Sequence, residues 1–266
     1  MQEEIDDKLA VSLSADTTEL LPFVPYLLQD FWELGSDPIA MCCLIEKQVD
    51  VPSGMKVLDL ACGKGAVSVR IAERFNARVK GVDIMPEFIK YALQKAAEYN
   101  VAGLCGFATG DVNEAVANER GYDVVVFGAA GVVLGEPAQM LDKLKAVINT
   151  GGHMLIDECY LPENVKQSDL KSNSYELLTE KQWADLFGQA GLELVGVDFG
   201  KDNNTPASGC ADEGMAFITA RAKELASKHH GKNAMFEAYV NNQLNEYVIW
   251  TICLFALLGC CARHFD

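Results

Sequence analysis

Residues able to contact a nucleoside-like ligand stand at the ends of successive apolar runs. The first run, in "VLDLACGKGA", ends at Asp59 and is followed by Gly63 and Gly65 at the start of a helical pattern. Glycines there allow the backbone to approach a ligand closely, and a helix N-terminus offers N–H groups. The second and third runs end at Asp83 and Asp111. One carboxylate can accept hydrogen bonds from both hydroxyl groups of a ribose, so Asp83 is a candidate nucleoside ligand.

Three kinds of nucleotide site place a glycine loop between a strand and a helix. A phosphate-binding P-loop is excluded because Lys64 is followed by Gly65, where that loop requires Ser or Thr. The dinucleotide fingerprint is weakened, since Ser68 occupies the position of its third glycine. The third kind of loop binds S-adenosylmethionine, and at this point it stands beside the dinucleotide loop as an open alternative.

The later runs favour S-adenosylmethionine. Asp111, in "FATGDVNE", can accept a hydrogen bond from an adenine amino group, with Val112 against the base. The fourth run, "YDVVVFGAA", ends in the small residues Gly128, Ala129 and Ala130, which leave room for a methionyl group. Four run ends in series are more specific than the glycine loop alone.

The segments between these residues predict the elements that position them. From residue 56 onward, short Val/Ile/Leu-rich runs alternate with helical patterns. Such runs are typical of strands buried on both faces of a parallel sheet, with the helices as crossovers. Pro86 and Pro137 are predicted near helix starts, and Thr179 with Gln182 has the spacing of a capping box. We therefore predict a doubly wound α/β sheet with its ligand at the carboxyl ends of the strands.

Composition limits the classes of function. The chain has 266 residues, half of them apolar, which suits one large α/β domain or a medium domain with a cap. The formal net charge of −16 opposes binding to a phosphate backbone, so nucleic acid is not an expected partner. Nine cysteines without a C-x-x-C pair favour reduced thiols, and no metal site is predicted. The acidic N-terminus lacks the pattern of a secretory signal, so a cytoplasmic location is expected.

The series of strand ends over residues 30–200 resembles that of the class I S-adenosylmethionine-dependent methyltransferases of small-molecule type. The resemblance implies a Rossmann-like, doubly wound sheet of seven strands with the last one antiparallel, helical lid elements, and S-adenosylmethionine as cofactor. The cofactor-binding residues that it implies are Asp59, Ala61, Cys62, Gly63 and Gly65 at the methionyl end, Asp83, Ile84 and Met85 at the ribose and adenine, Asp111 and Val112 at the adenine, and Phe127 and Gly128 at the sulfonium. Ala61 departs from the family pattern, which usually has glycine at that position.

Residues outside this series are candidates for the lid and the acceptor site. The segment "FWELGSDP" resembles a lid segment of some relatives, which implies cofactor contacts from Gly35 and Ser36. Phe31, Trp32 and Tyr160 are candidates for substrate binding. Glu158, in "IDECYLPEN" after the fifth strand, is the candidate catalytic residue, as a general base or as a group that orients a substrate amine.

Four regions are predicted along the chain: an N-terminal helical lid at 1–50, the cofactor-binding core at 51–200, an inserted helical segment at 201–246 and a final core strand at 247–266. The uncharged run from Tyr247 to Ala262 has sixteen residues. A helix that spans a membrane needs about 20 apolar residues, so a buried strand is favoured over a membrane anchor.

The predicted function is methyl transfer from S-adenosylmethionine to a small-molecule nucleophile by in-line displacement, with S-adenosylhomocysteine as product. Two alternatives remain, a nicotinamide-dependent oxidoreductase and a non-catalytic S-adenosylmethionine-binding protein. The sequence identifies neither the acceptor nor the oligomeric state.

Overall fold

The computed structural model of the chain describes residues 2–161, 163, 165–169, 177–198, 208–252 and 255–262. Within them, one sheet has the strand order β3-β2-β1-β4-β5-β7-β6. The strands are β1 (Lys56–Leu60), β2 (Arg78–Asp83), β3 (Cys105–Thr109), β4 (Tyr122–Gly128), β5 (Ile148–Cys159), β6 (Leu192–Asp198) and β7 (Phe255–Ala262). Strands β1 to β5 pair in parallel, and β7 runs antiparallel to both β5 and β6. The predicted α/β, Rossmann-like fold is confirmed.

Helices connect the strands and extend beyond them at both ends of the chain. They are α1 (Gln2–Ser12), α2 (Val24–Leu27), α3 (Pro38–Gln48), α4 (Ala66–Phe75), α5 (Pro86–Glu98), α6 (Val112–Asn118), α7 (Pro137–Lys145), α8 (Glu180–Gln189), α9 (Ser208–Lys228) and α10 (Asn233–Ile252). Pro86 and Pro137 are the first residues of α5 and α7, as predicted. The predicted capping box is also confirmed, since Thr179 Oγ1 accepts from the N–H of Gln182 at 3.2 Å.

Buried side chains cover both faces of the sheet, because neighbouring strand residues point to opposite sides. In β1, Leu58 belongs to a cluster with α6, α7 and α8, whereas Val57 belongs to a cluster with α3, α4 and α5. Both side chains are fully buried. The strands therefore have continuous apolar runs instead of the alternating pattern of a sheet with one face in water.

A third apolar cluster forms a cap beside the sheet. It joins side chains of the N-terminal segment, α9, α10 and the start of α5, among them Leu20, Leu27, Phe88, Ile218 and Phe236. Arg221 of α9 also pairs with Asp30, with Nε 2.7 Å from Oδ2. The N-terminal segment and the helices after β6 thus pack on one another, although the chain places them far apart. Residues 201–207 of the predicted insertion lie outside the described residues.

The C-terminal part differs from the prediction of a strand over 247–266. Residues 247–252 continue α10, and β7 begins only at Phe255. The run "YVIWTI" is rich in aromatic and β-branched residues, whose local propensity favours a strand. Extending a helix that has already formed costs little, so α10 continues through this run. Of the helices that the structure describes, none combines the length and the apolar character needed to cross a membrane.

Candidate active site

A cavity of about 360 Å³ lies at the carboxyl ends of β1, β2, β3 and β4. This volume is within the range of small-molecule sites. Its walls come from the strand ends, the glycine loop, the segment before α3, and α1. Of the residues singled out in the sequence, the cavity is lined by Trp32, Gly35, Ser36, Asp59, Ala61, Cys62, Gly63, Asp83, Ile84, Met85, Asp111, Val112 and Gly128. The fold brings residues from distant parts of the chain to one place.

The two glycines of the loop after β1 have different roles. Gly63 and Gly65 have φ of +51° and +75°, a backbone region that glycine adopts without a steric cost. A Cβ on Gly65 would lie 2.7 Å from the Cβ of Ala92 and 2.9 Å from the ring of Phe107. Gly65 therefore allows the start of α4 to pack on α5 and β3. It is not among the described residues that line the cavity, and its predicted ligand contact stays a prediction.

A buried hydrogen bond fixes Asp59 behind the loop. The Ser68 hydroxyl donates to Oδ2 of Asp59 at 2.6 Å. Burial raises the pKa of Asp59 to about 7, although this hydrogen bond acts in the opposite direction. Burial, with the charges of Asp59 and Asp83, also raises the pKa of the Cys62 thiol, which disfavours a nucleophilic thiolate. Ser68, the residue that weakened the dinucleotide interpretation, thus orients a carboxylate of the cavity wall.

Asp83 connects the glycine loop to the end of β2. Its Oδ2 accepts from the N–H of Gly63 at 2.8 Å, and its Oδ1 accepts from the N–H of Met85 at 2.9 Å. Burial raises the pKa of Asp83, opposed by these two hydrogen bonds. A carboxylate has about four lone-pair positions, so each oxygen can accept one more hydrogen bond. Asp83 also lines the cavity, where such a donor would arrive.

Asp111 and Asn113 form the polar wall at the end of β3. Asp111 caps α6, accepting from the N–H of Asn113 at 2.8 Å and from its side-chain Nδ2 at 3.1 Å. Asn113 lines the cavity as well, and its Oδ1 accepts from Lys143 Nζ at 2.8 Å. Sequence analysis missed Asn113. The signal that could have identified Asn113 is its place two residues after Asp111, because an N-cap aspartate accepts from the N–H of that residue.

The segment before α3 lies directly on the end of β4. A Cβ on Gly35 would lie 2.5 Å from the Cβ of Ala129, and a Cβ on Gly128 would overlap the Ser36 hydroxyl. Glycine at both positions is what permits this close approach. Gly35 and Ser36 consequently share one wall of the cavity with Gly128 and Ala129.

Asp157, near the end of β5, stands behind this wall and was also missed. It is only 4% exposed, and the Ser36 hydroxyl donates a hydrogen bond to it. Among the described residues, its Oδ1 has no hydrogen-bond partner. Burial raises the pKa of Asp157 to about 6, the bond from Ser36 opposes that rise, and the charge of Asp37 adds to it. The signal that could have identified Asp157 is an aspartate at the end of a predicted strand, but the sequence prediction names its neighbour Glu158.

Glu158 points away from this wall. In β5, Ile156 packs in the cluster with α7 and α8, and Leu155 in the cluster with α3 and α4. Alternation along the strand puts Glu158 on the face of Ile156 and Asp157 on the face of Leu155. Burial, and then the charge of Asp157, raises the pKa of Glu158 to about 8. Glu158 is not among the described residues that line the cavity, and its catalytic role stays a prediction.

Three other predicted residues also lie off the cavity wall formed by the described residues. Phe127 is fully buried in the core of the sheet, and Tyr160 is buried in the cluster with α7 and α8. Phe31 packs in the cap, with its ring centroid 6.3 Å from that of Phe217. These aromatic side chains support the walls of the site from behind.

Helix α1 lies within the region 1–50 that was predicted as a helical lid, and it forms a wall of the cavity with residues that were not named as candidates. Ile5, Leu9 and Leu13 line the cavity together with the ion pair of Lys8 and Glu4, whose Nζ and Oε1 are 3.0 Å apart. The three apolar residues recur every four positions, the spacing of one helix face. That periodicity is visible in the sequence, although the prediction of a lid over 1–50 named none of these residues as a cavity contact.

Comparisons with known proteins identify the family of the chain. A family model described as a methyltransferase domain matches residues 52–202. The malonyl-[acyl-carrier protein] O-methyltransferase of Acetivibrio thermocellus is 30% identical over 132 residues, which are 46% of this chain and 45% of that protein. The chain thus spans about half the length, or less, of the curated relatives it matches.

Solved structures share the fold over most of the chain. The S-adenosylmethionine-dependent methyltransferase from Geobacter sulfurreducens, in complex with S-adenosyl-L-homocysteine, superimposes with a TM-score of 0.75 at 19% identity, covering 91% of this chain and 98% of that one. The [4+2]-cyclase SpnF superimposes with a TM-score of 0.69 at 15% identity, covering 94% and 98%. One of these proteins is named a methyltransferase and the other a cyclase, so the shared fold does not by itself determine the reaction. The family model, however, covers more than half of the sequence, and the chain therefore belongs to the methyltransferase-domain family.

Proposed function

We propose that this protein binds S-adenosylmethionine in the cavity at the strand ends and transfers its methyl group to a small-molecule nucleophile. The observation that carries the proposal is Asp83, a buried carboxylate on the cavity wall whose oxygens each have accepting capacity left. Two ribose hydroxyls are the donors that this arrangement suits. Asp111 and Asn113 lie at the end of the next strand, where they are suited to the adenine.

The charge of the cavity supports a cationic cofactor. Four carboxyl side chains line it, those of Glu4, Asp59, Asp83 and Asp111, against the amines of Lys8 and Lys64. The negative excess persists even where Asp59, with a pKa of about 7, is half protonated. One of the amines, on Lys8, is already paired with Glu4. A sulfonium and an α-ammonium group are therefore better matched to these walls than the two phosphates of a nicotinamide dinucleotide. This balance disfavours the oxidoreductase alternative.

When bound, S-adenosylmethionine supplies a methyl group whose bond to the sulfonium sulfur breaks as a nucleophile attacks in line, leaving S-adenosylhomocysteine. The chain's own residues position the reactants and exclude water. We propose that the proton released by the nucleophile passes through Ser36 to Asp157. Ser36 lines the cavity and passes its hydroxyl proton to Asp157 as it accepts the proton of the nucleophile. Asp157 suits this role better than Glu158 because it is bonded to a residue of the cavity wall.

The cap supports a small acceptor. Helix α1 and the segment before α3 form cavity walls over the strand ends, which suits an acceptor small enough to lie between these walls and the cofactor. Matching relatives include enzymes named for small molecules, phosphoethanolamine N-methyltransferase and demethylmenaquinone methyltransferase. Phosphoethanolamine and quinols are therefore the first acceptors to try.

Isothermal titration with S-adenosylmethionine, S-adenosylhomocysteine and NADH tests the proposal, followed by measurement of S-adenosylhomocysteine release with a panel of acceptors. We expect binding of the first two ligands and turnover with a small nucleophile. Binding of NADH alone would select the oxidoreductase instead. Cofactor binding without turnover by any acceptor would select the non-catalytic alternative.

A further inference from the structure

Lys64, in the middle of the glycine loop, is a buried lysine that the proposed methyl transfer does not use. It is 4% exposed. Its Nζ donates to the carbonyl oxygens of Leu28 and Phe31, both at 2.5 Å. These carbonyls belong to the segment that follows α2 in the cap, more than thirty residues earlier in the chain. The lysine thus reaches from the loop into the cap.

This placement is costly for the lysine. Burial lowers the pKa of Lys64 to about 8, although the charge of Asp30 opposes the shift. Its ammonium lies 4.9 Å from the ring centroid of Tyr91 and 5.6 Å from that of Phe88, so carbonyls and rings replace most of its water. A lysine in water would not lose its hydration in this way. The hydrogen bonds to the cap are what Lys64 gains in return for its burial.

A second hydrogen bond joins the same two segments in the opposite direction. Trp32 Nε1 donates to the carbonyl oxygen of Lys64 at 3.1 Å. The indole also packs against Tyr99 of the adjacent α5 end, with ring centroids 5.0 Å apart. We call these contacts of Lys64 and Trp32 the loop–cap clasp. They hold residues 28–32 to the glycine loop, because each of the two segments donates to carbonyl oxygens of the other.

The clasp stands next to residues that form the cavity. Leu34, Gly35 and Ser36 begin two residues after Trp32 and line the cavity. Leu34 Cδ1 would lie 3.3 Å from a Cβ placed on Gly63, so the two segments are in close contact there as well. A change in the position of residues 28–32 would move the wall that covers the methionyl end of the site.

We propose that Lys64 is a positioning residue, which couples closure of segment 28–36 to ligand binding by the glycine loop. This inference rests on the proposed function, since S-adenosylhomocysteine is the ligand used as a probe. Lys64 does this through the carbonyls of Leu28 and Phe31. Loss of the ammonium therefore speeds ligand escape, whereas the adenosine contacts stay in place.

The test is Lys64→Met, which keeps the length of the side chain and removes its charge. Stopped-flow measurement should give at least about tenfold faster dissociation of S-adenosylhomocysteine, with a smaller change in the association rate. Hydrogen exchange should be faster in peptides covering 24–36 and unchanged in β1 and β4. Lys64→Arg should recover part of the protection, because a guanidinium can also donate to both carbonyls.

Lys95→Met is the matched control. Lys95 Nζ lies 5.1 Å from the Trp32 ring centroid and 5.6 Å from that of Tyr91, and it pairs with Glu98 at 2.7 Å. Its removal deletes a cation beside Tyr91, the ring that Lys64 also faces, and we expect wild-type dissociation and exchange. Equal dissociation rates and equal exchange in Lys64→Met and wild type would overturn the inference.

The proposal can still be tested if Lys64→Met does not fold or if the wild type does not bind S-adenosylhomocysteine. If Lys64→Met does not fold, Lys64→Gln removes the charge and shortens the side chain while keeping it polar, and unchanged dissociation and unchanged exchange in 24–36 would then overturn the proposal. If the wild type does not bind S-adenosylhomocysteine, the proposed function fails. Hydrogen exchange of the ligand-free variants then still decides whether Lys64 holds the segment.

Discussion

Asp83 has two tasks, because it holds two backbone N–H groups and also faces the cavity. Its removal therefore has two effects. Truncation to alanine would leave the N–H groups of Gly63 and Met85 without their acceptor, which lowers stability as well as affinity. Sequence reasoning alone treats Asp83→Ala as a change that hardly alters the unfolding midpoint, and the structure corrects that expectation.

Asp83→Asn is the sharper variant for ligand binding. The amide keeps the shape of the side chain, but only one of its two terminal atoms accepts hydrogen bonds. We expect affinity for S-adenosylmethionine and S-adenosylhomocysteine to fall by at least about tenfold in isothermal titration. Asp123→Asn is the control, since Asp123 accepts from the N–H of Lys56 at 2.9 Å at the opposite edge of the sheet. Equal affinities of Asp83→Asn and wild type would contradict the cofactor assignment.

Ala61 is strained at the residue level. Its φ of +56° lies in the left-handed region, which costs a residue with a Cβ about 1–2 kcal/mol. Glycine removes that cost, but its greater freedom in the unfolded chain offsets about 0.5–1 kcal/mol. We expect Ala61→Gly to be neutral or to stabilise by up to about 1.5 kcal/mol in urea unfolding.

Ala220 supplies the comparison for this variant. It is exposed in the middle of α9, so Ala220→Gly should destabilise by about 1 kcal/mol. A loss of stability in Ala61→Gly as large as in Ala220→Gly would show that the left-handed backbone at Ala61 carries no strain.

At the level of elements, β7 has more influence on the sheet than its position near the end of the chain suggests. It pairs with β5 on one side and with β6 on the other. Among the strands that the structure describes, β6 has no other neighbour. Without β7, β6 would lose all its pairing and β5 would become an exposed edge.

Deleting residues 253–266 should therefore abolish cooperative unfolding and cause aggregation. Circular dichroism with thermal unfolding and analytical size-exclusion chromatography would measure both effects. Deleting residues 263–266 alone keeps β7 and should preserve the transition. A folded and more soluble protein after the longer deletion would show that β7 is dispensable, and would reopen the interpretation of the tail as an anchor.

The stability of the whole molecule should depend on pH through Asp157. The pKa of this group is raised from 3.8 in the unfolded chain to about 6, so folding favours the protonated form. Its contribution to stability is complete below pH 3.8 and is lost as pH rises through about 6. Near neutral pH the protein thus carries a buried charge that weakens the fold and is available to accept a proton.

Asp157→Asn removes this dependence. The stability gained over wild type should increase by about 1.4 kcal/mol between pH 5 and pH 8, measured by urea unfolding at both values. Ser36→Ala deletes the hydrogen bond that lowers the pKa of Asp157, so its transition should move to higher pH. A stability difference that does not change with pH would refute the buried charge at Asp157.

The sequence determined the parallel sheet and much of the cavity, because both rest on short-range patterns. Apolar runs such as "KVLDL" identify strands buried on both faces, and the residues just after them meet at one edge by the geometry of parallel strands. Asp59, Asp83 and Asp111 could be found in this way. Their place on the cavity wall follows from strand order and does not require knowledge of side-chain packing.

Contacts between distant segments were decided only by the tertiary structure. Asp157 and Glu158 are adjacent in sequence but lie on opposite faces of β5. Only the pairing of β5 with β4 and the contact with Ser36 show that Asp157 is the one behind the cavity wall. Lys64 contacts a cap segment whose distance in the chain hides it from local patterns. At 247–252, local propensity favoured a strand, but the chain continues α10, because extending a helix that has already formed costs little and propensities differ by only about a few tenths of a kcal/mol per residue.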